Sequence, residues 1–244
     1  MKKRIHILDE LRGLCVVLMV IYHALYTFAG IFGMSWAIKL FWLCSPLEPF
    51  FAGIFIALCG VSCRLSKSNR KRGLLLAAVA IAMTVVLLAA MPDQVIWFGV
   101  LHCLAVCILL FALLRPLLDR VPPLVGVIVC AVLCALLWTV PTVFGGRFLL
   151  WPLPTALLTC KWLFPLGFGY IYSADYFPLI PWVFCFMGGT FLGQWKERLP
   201  AWCYKRHLPP LAFAGRHSLI VYLVHQPLII GITMGVYILM SLLA

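Results

Sequence analysis

Acidic side chains are scarce in this chain: Asp and Glu together number seven among 244 residues, against 19 Lys and Arg. No long polar block exists that could form a separate soluble domain, so one membrane-embedded domain is expected. Hydrophobic residues make up 65% and charged ones only 11%, which leaves too little polar surface to coat a water-soluble globule. The eleven cysteines include no C-x-x-C pair, which argues against a metal or redox site. Several instead fall four apart inside apolar runs, as Cys59 and Cys63, Cys103 and Cys107, and Cys130 and Cys134. Cysteine so placed acts as a small hydrophobe. Residues 1–244 therefore read as a single membrane-embedded domain. Its expected class is all-α, a polytopic transmembrane helix bundle, because backbone in hydrocarbon must satisfy its own hydrogen bonds.

What is present is a series of apolar runs long enough to cross a bilayer. They fall near 11–33, 46–64, 73–91, 95–114, 122–141, 177–195 and 216–243. About seven spans are thus expected, with the amino terminus cytoplasmic. The first run comes after Lys2, Lys3 and Arg4 as in a signal peptide, but no small-x-small cleavage site succeeds it. It is expected to be a retained helix. On this topology sixteen Lys and Arg face the cytoplasm, and only Lys39, Arg147 and Lys161 face outward. The positive-inside rule accounts for that bias and for the net charge of +12, so no nucleic-acid partner is needed.

Two stretches depart from the pattern. Residues 148–176 are apolar and aromatic but broken by Pro152, Pro154, Pro165, Gly167 and Gly169. An outer re-entrant or interfacial hairpin is expected there, since one full span would place Lys196, Arg198, Lys205 and Arg206 outside, against the charge bias; two short spans keep the parity equally well. The loop Arg64–Arg72 holds five basic residues in nine positions. It reads either as a loop touching anionic lipid or as a phosphate cradle.

Ionisable groups at membrane depth are costly and mark functional candidates. His23 lies within the first run, His102 in the fourth and His225 in the last. Asp175 and Glu48 stand at the expected outer starts of the sixth and second spans, where each is also explained as a helix-terminal charge. Arg12 and His23 are eleven residues apart, so on a helix they share a face about 16 Å apart along the axis. Cations at an inner mouth with histidines farther along suit an anionic, phosphate-bearing donor and a general base or transient acyl carrier. An acyl-CoA donor fits that spacing. The same histidines equally suit a proton relay, so a small proton-coupled transporter is the alternative.

The pattern Arg4-x-x-x-Leu8-Asp9-x-Leu11-Arg12-Gly13, with Tyr22-His23 after it, resembles the first helix of a bacterial membrane family similar to the catalytic domain of heparan-alpha-glucosaminide N-acetyltransferase. Further likenesses run in order along the chain: Phe50 to Ser62, Phe98-Gly-Val-Leu-His102, Ser173 to Trp182, Gly215-Arg-His-Ser-Leu219, and Tyr222-Leu-Val-His225-Gln-Pro227. The Arg12-to-His23 spacing is also similar to that of the wider membrane-bound acyltransferases that decorate surface polysaccharides. The resemblance implies an integral membrane acyltransferase, in the first instance an acetyltransferase, of a bacterial plasma membrane. It implies acetyl-CoA or another acyl-CoA as cytoplasmic donor, a hydroxyl or amino group of an outer-facing sugar or glycan as acceptor, and no metal. His23 is the expected general base or acyl carrier. His102, Asp175 and His225 are expected on the acceptor side, with Arg12, Arg64, Arg70 and Arg72 as phosphate anchors. The partners are then the bilayer, acyl-CoA and the acceptor; assembly into an oligomer is compatible with this. Three positions depart from the relatives. Residues 34–45 lack the first-outer-loop histidine of the eukaryotic enzyme, Thr27 stands where relatives often carry an acid, and Asn69-Arg70-Lys71-Arg72 lacks a clean Arg-x-x-Arg.

Overall fold

The computed structural model describes residues 4–137, 160–168 and 171–243. Among these the chain is helical. The only β pairing among them is one bridge between Phe98 and Tyr176. The α-helices are α1 His6–Tyr26, α2 Ser35–Cys44, α3 Glu48–Leu65, α4 Asn69–Ala90 and α5 Val100–Leu118. They continue as α6 Pro123–Leu137, α7 Leu179–Leu192, α8 Pro209–Arg216 and α9 Ser218–Leu243. Five stretches are long and apolar enough to cross a membrane: His6–Gly30, Ser35–Leu65, Asn69–Ala90, Val100–Leu118 and Ser218–Leu239. Their large side chains point outward, as at Ile21, Leu75, Val86, Leu113 and Ile232, which is what a lipid-facing surface requires. The protein is an integral membrane protein. The expected span at 177–195 corresponds to the shorter α7, and the described part of the span at 122–141 is α6. The first half of the expected hairpin, 148–159, lies outside the described residues. In its second half Lys161–Leu166 forms a 3₁₀ turn that ends on Gly167 at φ 104°.

The structure corrects the start of the second span. Residues 34–45, read as an outer loop, hold α2, and a 3₁₀ turn at Ser45–Leu47 joins α2 directly to α3. Gly33 at φ 63° ends the preceding helical run. No glycine or proline then interrupts the chain until Pro46, so a new helix starts at once. Glu48 accordingly lies within the apolar Ser35–Leu65 stretch rather than at its outer start.

The described chain forms two compact units. The first holds residues up to Phe55 and from Leu199 onward. Within it α1 packs against α8, α9 and α2. The crossing of α1 and α8 is unusually close. A Cβ on Gly13 would overlap the carbonyl of Leu211, and one on Gly215 would overlap the carbonyl of Asp9. Two glycines, one on each helix, therefore let the backbones touch.

The second unit comprises Ile56–Arg198. In it α4 packs on α5, α6 on α7 and α5 on α7, around buried Ile56, Cys63, Cys103, Cys107, Phe111 and Phe186. Gly60 and Gly189 permit close approach of α3 and α7, since a Cβ on either would overlap the carbonyl of Phe186 or Ala57. At one end of this unit the chain is extended. Ala174 and Phe177 donate backbone N–H bonds to the carbonyls of Val95 and Phe98. That pairing delays α5 to Val100. His102 therefore sits in the first turn of its helix.

Candidate functional site

In the first unit α1 and α9 bring His23 and His225 together, with ring centroids 4.9 Å apart. They lie 202 positions apart in the chain, so only tertiary packing makes them neighbours. Tyr22 stands edge-on to His23 at 5.9 Å, and Tyr222 lies 5.6 Å from His225. His225 is 7% exposed, and its Nδ1 lies 2.6 Å from the carbonyl oxygen of Tyr222. A carbonyl only accepts, so Nδ1 carries the hydrogen and Nε2 holds the basic lone pair. The helix thus fixes the tautomer of its own histidine.

Next to this pair is a polar contact without a counterpart in the sequence pattern. Thr27, fully buried, donates through Oγ1 to the His23 carbonyl at 2.9 Å. With its hydrogen so committed, Thr27 accepts from Gln226 Nε2 at 3.1 Å. From Thr27 to Ile31 the helix widens to π-helical spacing, a distortion common at functional sites. In the sequence Thr27 stands out only as a departure from an acidic position, and no local signal points to its pairing with Gln226.

The charged knot at the start of α1 is mostly internal bonding. Asp9 accepts from Arg4 Nε at 2.7 Å and faces Arg12 Nη1 at 3.5 Å. The Asp9 bond holds the Arg4 guanidinium above its usual pKa. The Arg12 side chain is 19% exposed. Glu10 Oε1 accepts the backbone N–H groups of His207 and Leu208 at 2.7 and 3.0 Å. It thereby satisfies donors in the turn just before α8.

The second unit holds His102 and Asp175. Asp175 Oδ2 accepts the Val100 N–H at 3.2 Å, so this carboxylate caps α5. Gly99 makes room for it, since a Cβ there would crowd Asp175 Oδ2. Ser173 donates to the Asp175 carbonyl at 2.6 Å and accepts from Trp97 N at 3.1 Å. His102 stacks on Phe98 at 5.9 Å and meets Thr84 Oγ1 through Nε2 at 3.3 Å. Thr84 carries no mark in the sequence, and Ser173 is marked only as the first residue of the Ser173–Trp182 likeness. A threonine inside an apolar helix usually bonds its own backbone and so gives no warning.

The basic residues of this unit separate into two kinds. Arg64 turns inward. Its Nε donates to the Thr190 carbonyl at 3.2 Å, its Nη1 pairs with Asp119, and its guanidinium lies 5.1 Å over the Phe111 ring. Arg70 and Arg72, at the start of α4, are exposed and have no ion pair among the described residues. They are available to an anion; Arg64 is a structural tie. Among the described residues no group of three or more His, Cys, Asp or Glu could hold a metal ion.

One family model matches the chain, described as "Heparan-alpha-glucosaminide N-acetyltransferase, catalytic", over residues 4–227. No curated protein and no solved structure matches it. The match begins at Arg4 and ends at Pro227, so it includes every histidine and arginine described above.

Proposed function

The chain belongs to the heparan-alpha-glucosaminide N-acetyltransferase catalytic-domain family, and from that premise we propose that it moves an acetyl group from cytoplasmic acetyl-CoA to an outer-facing sugar. The whole of 1–244 acts as one catalytic domain in a bacterial plasma membrane. The observation that carries the reading is the contact between half-buried His23 and buried His225. Two imidazoles in contact within membrane-spanning helices serve no lipid-facing purpose, and burying them is costly unless they act. With Nδ1 of His225 committed to Tyr222, the basic nitrogen is Nε2. Of the pair, His23 is assigned as general base or acyl carrier and His225 as its partner.

On this reading Arg12 in the first unit is assigned to the donor's phosphates; exposed Arg70 and Arg72 of the second unit are assigned, each on its own account, as cations open to an anion. In the second unit, His102 and Asp175 are assigned to the acceptor's hydroxyl or amino group. The test uses the purified full-length protein in nanodiscs with radiolabelled acetyl-CoA and amino-sugar acceptors. Labelled product is expected for the native chain, with a loss of about 100-fold or more for His23→Ala. Unchanged transfer in His23→Ala and Arg12→Ala would overturn the assignment. Proton-coupled uptake without binding of acetyl-CoA would instead identify a transporter.

A further inference from the structure

We propose that His102 takes up a proton through Nδ1, and that Thr84 is the positioning residue that makes this nitrogen the basic one. Thr84 has a single hydroxyl hydrogen and three candidate recipients. The Ile96 carbonyl lies at 2.6 Å, the Ala80 carbonyl at 3.3 Å and His102 Nε2 at 3.3 Å. A carbonyl can only accept, and the Ile96 contact is much the shortest, so the hydrogen goes there. Thr84 Oγ1 then faces His102 as an acceptor, and Nε2 must supply the ring hydrogen between them. A neutral imidazole has one N–H. Nδ1 is therefore left with the lone pair.

That lone pair is placed where a ligand's donor is wanted. Nδ1 is buried and has no hydrogen-bond partner among the described residues. A buried acceptor without a donor is a cost that a native fold rarely leaves uncompensated. The ring itself is held by Phe98 on one side and by Thr84 at the far nitrogen. The Ile96 carbonyl is free for Thr84 because residues 95–98 are extended and paired with 174–177, outside any helical ladder. Asp175 accepts the Val100 N–H at the start of the same helix. A hydroxyl or amine thus fits Nδ1. Its proton passes to the nitrogen, the electron pair of the broken bond stays on the ligand's oxygen or nitrogen, and an imidazolium forms. Use of the resulting nucleophile in acyl transfer rests on the reading above. The tautomer does not.

The experiment is ¹⁵N NMR of the full-length protein labelled at histidine, in nanodiscs, with His102→Gln identifying the His102 resonances. The native protein should show His102 protonated at Nε2 and bare at Nδ1. Thr84→Ser should keep that signature, and Thr84→Val should populate the other tautomer. In the acetyl-transfer assay Thr84→Val should lose roughly tenfold in kcat with KM little changed, and Thr84→Ser should restore it. A native His102 carrying its hydrogen on Nδ1 overturns the proposal, whatever the folding of the variants. An unchanged tautomer in well-folded Thr84→Val overturns Thr84's role. If the tautomer behaves as stated but no variant or native protein transfers acetyl, the acyl-transfer reading fails and the positioning by Thr84 stands.

Discussion

Glu10 is 3% exposed, and its position on α1 explains why an acid is kept at the mouth of an apolar helix. One carboxylate oxygen receives two backbone donors from His207 and Leu208, where the turn into α8 would otherwise bury them bare. Removing the acceptor leaves both donors unsatisfied, each at a cost of about 1–3 kcal/mol. Glu10→Ala should therefore lower the thermal unfolding midpoint clearly. Glu10→Gln, which retains one acceptor oxygen, should lose much less. Equal melting of the two variants in detergent would show that the bonds to 207 and 208 contribute nothing. At this scale the sequence places Asp9 and Glu10 just before an apolar run but does not show what they hold. A partner nearly 200 positions away has no local signature. The converse held for Arg64: as one of five basic residues in nine positions it read as a surface cation, yet Asp119, Thr190 and Phe111 draw it inward. Charge spacing cannot tell an arginine that faces solvent from one that ties two helices.

Helix crossings in a bilayer depend on how near two backbones come, because lipid removes the usual hydrophobic drive for helices to associate. Gly13 and Gly215 set that distance between α1 and α8. Ala at either position would place a methyl group against a carbonyl oxygen of the other helix, and the pair must then separate. We expect Gly13→Ala or Gly215→Ala to destabilise by about 1–3 kcal/mol. Gly231→Ala and Gly235→Ala on α9 meet nothing within 4 Å, and should be neutral or slightly stabilising through helix propensity. Unfolding midpoints of the four variants decide this; a uniform response across them would remove the close-crossing account. Periodicity and length found the long helices well, since an apolar run of about 20 residues has few other fates. They failed at boundaries set by pairing. Residues 95–99 are apolar enough to continue α5, but the bridge to 174–177 holds them extended. Residues 34–45 looked like a loop only because a full span was already counted on either side.

The distribution of charge along the whole chain makes an orientation prediction that the described helices sharpen. Lys67, Arg70, Lys71 and Arg72 lie between or just inside the facing ends of α3 and α4, and Arg115 and Arg120 lie at the end of α5. The connection from α4 to α5, residues 91–99, contains no Lys or Arg and one Asp, Asp93. Successive spans must alternate sides, and the basic connections belong in the cytoplasm. Residues 66–68 and 119–122 should therefore be cytoplasmic and 91–94 external, with α1 leaving the cytoplasm. Reporter fusions truncated after Ser68, Gln94 and Val121 test this. An enzyme active only outside the membrane should score positive at Gln94 alone, and a reporter fluorescent only in the cytoplasm should score at the other two. The proposed direction of transfer depends on this result. If the signs came out reversed, Arg12, Arg70 and Arg72 would face away from the cytoplasmic pool of acetyl-CoA, and the donor would have to arrive from the other side.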